Sequence, residues 1–380
     1  MSFRRQQRFI DSCSFGASLH DRFRRYFVVN ITALTLVLSS CLPTPDVAVR
    51  NDGVLGAGGV FVVCEGLWRQ NNSVLSWVGL DGTVVRDVVS VVNTSMDLGD
   101  TASDIVVRGD TIFIAVSTSR SIELFRRSSG LWIGRIPAPQ GAEPYRMALA
   151  DDSTIFVTNL TDDSITEVDI RNGRLRVERV PVGPAPEGIA VLRNRIFVAN
   201  SGYGDLRSGE AGAGTVDVYA RSDLSRVRRI DALPNAAAIV ADADRNRIWG
   251  SYRNLPSRKD EVGGVALIDA SSFEILRRWS MDAPRGLTLD RSSGYIFVLH
   301  SLGVSRIRGT SDTMSMVIRH RSGSGSDVWY SLAYQAEAGT LWIGNARSYV
   351  TDGEVLAYDT TGKRLLAAPV GLNPTAFAFR

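Results

Sequence analysis

Side chains able to do bond-breaking chemistry are sparse in this 380-residue chain. Beyond residue 41 only two histidines remain, His300 and His320, too few for a multi-histidine metal centre. No Cys/His spacing suits zinc, and no glycine-rich loop stands between a strand and a helix, as a phosphate cradle needs. Ser301 follows His300, but no acid is evident to complete a triad. Asp151-Asp152 and Asp162-Asp163 are paired acids at turns, where Asp is favoured because its carboxylate accepts nearby backbone N–H groups. What is left is polar and aromatic. Trp68, Arg69 and Gln70 form one cluster; Tyr203, Asp205, Arg207 and Glu210 form a second; Tyr252, Arg253, Arg258, Lys259 and Asp260 form a third. Aromatic faces beside fixed charges suit recognition of a polar molecule. The expectation is therefore binding, with no catalytic residue, no metal ligand and no cofactor.

The elements that position these clusters repeat. A short apolar strand with an aromatic near its start recurs as VFVVCEG from Val60, TIFIAVS from Thr111, TIFVTNL from Thr154 and RIFVANS from Arg195. It returns as RIWGSYR from Arg247, YIFVLHS from Tyr295 and TLWIGNA from Thr340. The copies are roughly 41 to 52 residues apart, the length of one four-stranded propeller blade. Each is preceded by a small-residue strand, such as Gly188-Ile189-Ala190-Val191-Leu192, which suits an innermost strand crowded around an axis. Each is followed by an alternating strand and then a more charged one, as in Thr215-Val216-Asp217-Val218-Tyr219 and Arg174-Leu175-Arg176-Val177-Glu178-Arg179-Val180. No convincing amphipathic helix follows residue 41. The first copy lacks its inner strand, and the chain ends on Asn373-Pro374-Thr375-Ala376-Phe377-Ala378-Phe379-Arg380, an inner strand with no blade after it. Pairing the two completes a blade and hides two sheet edges. The fold class predicted is all-β: a seven-bladed β-propeller of four-stranded antiparallel blades over residues 59–380.

The first forty residues carry a different signal. Arg22 to Tyr26 is a basic flank, and Phe27 to Leu38 is an apolar run of twelve. That run is too short to span a bilayer, which takes about 20 residues, but it fits a secretory h-region. It leads into Leu38-Ser39-Ser40-Cys41, which resembles the lipobox of bacterial lipoproteins. The resemblance implies a signal peptide over residues 1–41 and lipid on Cys41. Arg24-Arg25-Tyr26-Phe27 bears a faint likeness to a twin-arginine signal. Residues 42–58 contain Pro43, Pro45, Gly53, Gly56 and Gly58 and read as a flexible tether. Cys64 is then the sole thiol after Cys41 and reads as a small buried hydrophobe. Forty-three basic against 40 acidic residues give a net charge of +3, which does not argue for nucleic acid.

The strands Ile155-Phe156-Val157-Thr158-Asn159 and Ile196-Phe197-Val198-Ala199-Asn200 resemble the signature of the YVTN, or YncE-like, seven-bladed propeller family. Gly59 to Gly66, Asn72 to Ser76 and Leu98 to Ala102 are most similar to its Bacteroidetes branch of exported lipoproteins, with Cys64 standing where that branch carries Asn. The resemblance covers about residues 58–380. It implies a monomeric domain lipid-anchored in the bacterial envelope, by analogy at the outer membrane, facing either the periplasm or the outside. It also implies capture of a small polar ligand, or docking of an envelope partner such as a TonB-dependent transporter. Membrane contact is expected through the lipid only.

Strand directions place the long loops and the starts of the inner strands on one face, called the top. The loops supply Glu65, Trp68, Arg69, Tyr203, Tyr252 and Arg253 as ligand-binding residues. The inner-strand starts supply Asp100, Tyr145, Arg146, Glu187, Asn235, Arg285, Trp329 and Tyr330. Arg146, Glu187 and Arg285 could instead neutralise one another. Carboxylates meeting in the channel could hold calcium, as in lactonase propellers, so a metal-dependent hydrolase or lactonase is the alternative.

Overall fold

A computed structural model describes residues 55–231, 233–258, 262–320 and 327–380. The leader, Cys41, most of the tether, and Lys259 and Asp260 lie outside the described residues. Seven sheets of four antiparallel strands form a ring. In chain order blade 1 is built around Gly59–Cys64, blade 2 around Thr111–Val116, blade 3 around Thr154–Asn159 and blade 4 around Arg195–Asn200. Blades 5, 6 and 7 are built around Arg247–Tyr252, Tyr295–His300 and Thr340–Asn345. In every blade this aromatic-bearing strand is second from the axis.

The packing explains why these strands are apolar throughout rather than alternating. Their two faces enter two different cores. In blade 1, Phe61 and Val63 pack with Ile105, Ile112 and Phe125 of blade 2. Val60, Val62 and Cys64 point the other way, against Trp342, Val355 and Ala368 of blade 7. Seven such clusters fill the seven blade–blade interfaces, so a strand covered on both sides has no solvent face. Outer strands are mostly covered on one side at most; the two-residue outer strand of blade 1, Val84–Val85, is buried on both. Arg226–Ile230 exposes Arg226, Val227 and Arg228 and buries Ile230. Arginine on such an edge also discourages pairing with another chain.

Inner strands stand closer together. A Cβ on Gly188 would lie 2.3 Å from the Ala237 carbonyl oxygen of the next inner strand, so this contact admits only glycine. The residue just before the inner strand adopts a left-handed backbone in four blades, at Thr101, Ala185, Asn235 and Asn373, and Ala283 does so three residues before that of blade 6. Asn suits that conformation better than most residues.

The ring closes on its own tail. Pro374–Phe379 lies antiparallel to Gly59–Cys64, with Phe379 opposite Val60 and Phe377 opposite Val62. Backbone bonds from Glu65 and Gly66 N–H to the Asn373 and Leu372 carbonyls continue the seam to the top.

The last position of the second strand repeats a polar stitch. Asn159 donates to Ser164 and Thr166, Asn200 to Thr215 and Asp217, and Asn345 to Asp327 and Glu354. His300 takes this place in blade 6 and meets Ser305 Oγ at 2.9 Å, not Ser301. Cys64 takes it in blade 1, buried 3.7 Å from Ser76 Oγ, with burial pushing its thiol up to about 12. A thiol held there stays protonated and unreactive at neutral pH.

One expectation is corrected. A short helix, Val88–Val92, follows the two-residue outer strand of blade 1. Its five residues are Val-Val-Ser-Val-Val, a strand-like composition. Asp87 overrides it by accepting the Val89 and Ser90 N–H groups as an N-cap. Asn93 then ties the helix end to blade 2, donating to the Gly130 carbonyl and accepting the Trp132 N–H. Among the described residues no helix is long and apolar enough to cross a membrane.

Candidate functional site: a cavity at the top of the channel

The starts of the inner strands and the long top loops enclose a cavity of about 1170 Å³. Its upper wall is polar and its lower wall, one to four residues further along the same strands, is apolar: Met147, Ile189, Ile239, Leu287 and Leu332. Ten of the residues expected from sequence line it: Glu65, Trp68, Tyr145, Arg146, Glu187, Tyr203, Asn235, Arg253, Arg285 and Tyr330.

The other four lie elsewhere, for identifiable reasons. Tyr252 is buried in the core between blades 4 and 5, because as the last residue of its strand it takes the inward stitch position. Trp329 is buried between blades 6 and 7 with its ring 4.6 Å from that of His320. Asp100 organises the blade 1 loop, its carboxylate accepting the Arg69 and Asn71 N–H groups and the Thr101 hydroxyl. Arg69 is thereby held with its guanidinium over the Trp68 ring, 4.1 Å from the centroid, outside the cavity wall.

Two connected groups dominate the wall. In the first, the Tyr330 hydroxyl donates to Glu65 Oε2 at 2.8 Å, bridging blades 7 and 1. Arg146 stacks over Tyr145 at 4.9 Å, donates to the Ser103 carbonyl at 2.6 Å and lies 3.6 Å from Asp104. In the second, Arg253 pairs with Glu187 and reaches Asn235 Oδ1 at 3.2 Å. Arg285 donates to the Tyr349 hydroxyl at 3.2 Å. Arg146, Glu187 and Arg285 therefore do not neutralise one another; each has a different partner.

Burial pushes the Glu65 carboxyl above its ordinary range, only partly offset by the Tyr330 hydrogen bond. It does the same to Asp104 against the pull of Arg146, and to Glu143 against the fields of Arg120 and Arg69. Burial also holds the Tyr145 hydroxyl up at about 12, so it stays a neutral donor. A carboxyl raised in the folded state binds more protons there than in the unfolded chain. Stability is then greatest on the acid side and is lost as pH rises through the folded value. Glu65→Gln keeps an acceptor for Tyr330 and removes the buried charge. Its thermal midpoint should exceed that of the wild type at neutral pH and should fall less between the ordinary carboxylate range and neutrality. A lower midpoint at neutral pH would refute this balance.

Sequence reasoning missed Asp104, Glu143 and Asp282, which also line the cavity, and placed Asp205 in a recognition loop without assigning it to the site. Asp104 had a visible signal: it is a charge inside an innermost strand, Ala102–Arg108, where the channel is the one polar side available. Asp205 stood out only as part of a long polar loop, and its placement depends on how that loop turns. That loop turns at Gly202, Tyr203 and Gly204, all left-handed. A Cβ on Gly202 would stand 2.7 Å from Ala213 Cβ, so the turn needs glycine there. The turn leaves the Tyr203 ring 52% exposed at the rim, and Asp205 accepts the Ser257 N–H of the next blade's loop.

The paired acids noted in the sequence serve turns and blade contacts. Asp151 accepts the Ser153 N–H and pairs with Arg221; Asp163 accepts the Ala185 N–H and a bidentate Arg207. A metal-dependent hydrolase would need about three ligating side chains around one point. Among the described residues no group of three His, Cys, Asp or Glu is placed to hold a metal ion.

The architecture has solved counterparts. Hydrazine synthase of Kuenenia stuttgartiensis superposes with a TM-score of 0.61 at 17% identity, covering 72% of this chain and 88% of that one. A quinonprotein alcohol dehydrogenase-like protein of Bacteroides thetaiotaomicron superposes with a TM-score of 0.65 at 13% identity, covering 84% and 78%. This chain shares their propeller fold. At such identity the likeness is one of fold alone, and one scaffold hosts binding and catalysis alike. No protein-family model matches the chain, and no curated protein does.

Proposed function

We propose that this protein is a YncE-like lipoprotein of the bacterial envelope that captures a small polar ligand in the cavity at the top of its propeller. Lipid on Cys41 holds it at the outer membrane, and a TonB-dependent transporter is the envelope partner that would pass or receive the ligand. The observation that carries the binding reading is the cavity itself. It is concave, polar above and apolar below, with Trp68 and Tyr203 at its mouth, 48% and 52% exposed. Exposed aromatic surface at the mouth of a concave pocket, with the Trp68 ring already stacked under Arg69, suits recognition of a small molecule.

The wall also selects by charge. Six carboxyls (Glu65, Asp104, Glu143, Glu187, Asp205 and Asp282) face three guanidiniums, those of Arg146, Arg253 and Arg285. Arg146 and Arg253 are already paired with acids of the wall. The surplus is negative, so neutral and cationic molecules are favoured over anions. Aromatic rings at the mouth add cation–π attraction.

The test is a set of small polar compounds of both charge signs, screened by thermal shift and followed by calorimetric titration. Trp68→Ala and Tyr203→Ala are each expected to weaken binding about tenfold, the value of one good aromatic contact. Their own thermal midpoints should stay at the wild-type value, because both rings are half in water. Unchanged affinity in both variants would place the site elsewhere.

A further inference from the structure

A second surface stands apart from the cavity. The outer strand of blade 2, Trp132–Pro137, begins with large apolar side chains facing water: Leu131, Trp132 and Ile133 are 46%, 43% and 44% exposed. Val91, on the helix that Asn93 ties to this strand, adds a fourth at 40%. The patch is built rather than accidental. Trp132 is pinned by two hydrogen bonds, its N–H to Asn93 Oδ1 at 2.8 Å and its Nε1–H to Glu123 Oε2 at 3.0 Å, which hold the partly exposed ring in place. Arg126 and Arg135 flank it, each about half exposed.

The chain enters the propeller at this same place. Leu55 packs on the blade 1–blade 2 core, and its Cδ1 stands 3.7 Å from where a Gly130 Cβ would be, one residue before Leu131. Thirteen residues, 42–54, separate Leu55 from Cys41. Even fully extended, the stretch from Cys41 to Leu55 spans at most about 50 Å. If Cys41 is lipid-modified, the tether enters the domain at this corner, within that reach of the bilayer.

We propose that Val91, Leu131, Trp132 and Ile133 form a membrane-docking surface that seats blade 2 in the headgroup region of the bilayer carrying the lipid anchor. The inference rests on the anchor reading of Cys41 and not on the ligand reading of the cavity. An apolar patch containing Trp and bordered by Arg has the chemistry of the membrane interface, where the indole ring sits at headgroup level and arginine meets phosphate. Four side chains would bind a membrane weakly from solution. A short tether turns the contact into an intramolecular one, with a high effective concentration. Docking would fix which way the top face points.

The experiment uses the full chain, taken from cell membranes and reconstituted into phosphatidylethanolamine–phosphatidylglycerol vesicles with or without brominated acyl chains. Tryptophan emission is read for the wild type and for Trp132→Phe. The expected result is bromine quenching in the wild type that falls by more than half in Trp132→Phe, although six of the seven tryptophans remain. Equal quenching in both, with the protein still on the vesicles, overturns docking and leaves the anchor standing; so does a Trp132 shielded by a second copy or another protein. Cell fractionation of the wild type and Cys41→Ala tests the anchor separately. A wild-type chain that is soluble and carries no lipid mass overturns the anchor and the docking together.

Discussion

A chain ending at Asn373 is expected to lose its cooperative thermal transition. The deleted strand, Pro374–Phe379, is the innermost of blade 1 and ties the end of the chain to the first blade by backbone pairing. Its side chains serve two cores at once. Ala376 and Ala378 sit in the interface with blade 2, while Phe377 and Phe379 pack into the interface with blade 7. Without it, two interfaces lose an apolar wall and Gly59–Cys64 becomes an unpaired, fully apolar edge. Such an edge is a template for aggregation. Neighbouring interfaces in a ring are stable because each blade is gripped from both sides, so the loss should spread. Scanning calorimetry and light scattering give the readout. A truncated chain that stays monomeric and melts within a few degrees of the full one would mean that closure contributes little.

Trp77→Ala should be the most damaging single substitution of those considered. Trp77 is fully buried, its ring lies 4.7 Å from Phe61, and the Arg380 guanidinium sits 5.7 Å above it. Its Nε1 has no hydrogen-bond partner, so truncation sacrifices packing and the Arg380 contact but no hydrogen bond. Removing a buried aromatic of this size costs about 3–5 kcal/mol, transfer and cavity together. For a propeller of this length that corresponds to a fall in Tm of roughly 5–8 °C. Trp77→Phe fills most of the space and should cost less than half as much. The comparison by thermal melting separates cavity formation from loss of the Arg380 contact. Equal losses in the two variants would contradict the packing account.

The ring was legible in the sequence because its physics repeats. A strand buried on both faces must be apolar throughout, and it recurs once per blade from Val60 to Thr340. The half-repeat at Pro374 likewise declares its missing partner. The candidate site was legible where a residue's place follows from its position in the repeat, as for Tyr145, Arg146, Glu187 and Tyr330. It was illegible where orientation depends on one side chain's choice between channel and core. Tyr252 and Trp329 begin or end strands just as the cavity residues do, yet their rings find more apolar surface between blades than at the rim. The helix at Val88–Val92 was hidden for a related reason: β-branched residues point to a strand, and a single cap, Asp87, reverses the outcome. Asp205 and Tyr203 were recognised as members of a long polar loop, but the three successive left-handed residues that aim them at the cavity are not announced by composition.

The claim on which the functional account turns is that the top cavity binds polar ligands and selects by charge. The direct measurement is a thermal-shift screen of matched cationic, neutral and anionic small molecules against the wild type and a Trp68→Ala/Tyr203→Ala double variant. The account predicts stabilisation of the wild type by cationic or neutral members, with the shift largely lost in the double variant. Equal shifts in the two proteins, or stabilisation confined to anions, would contradict it.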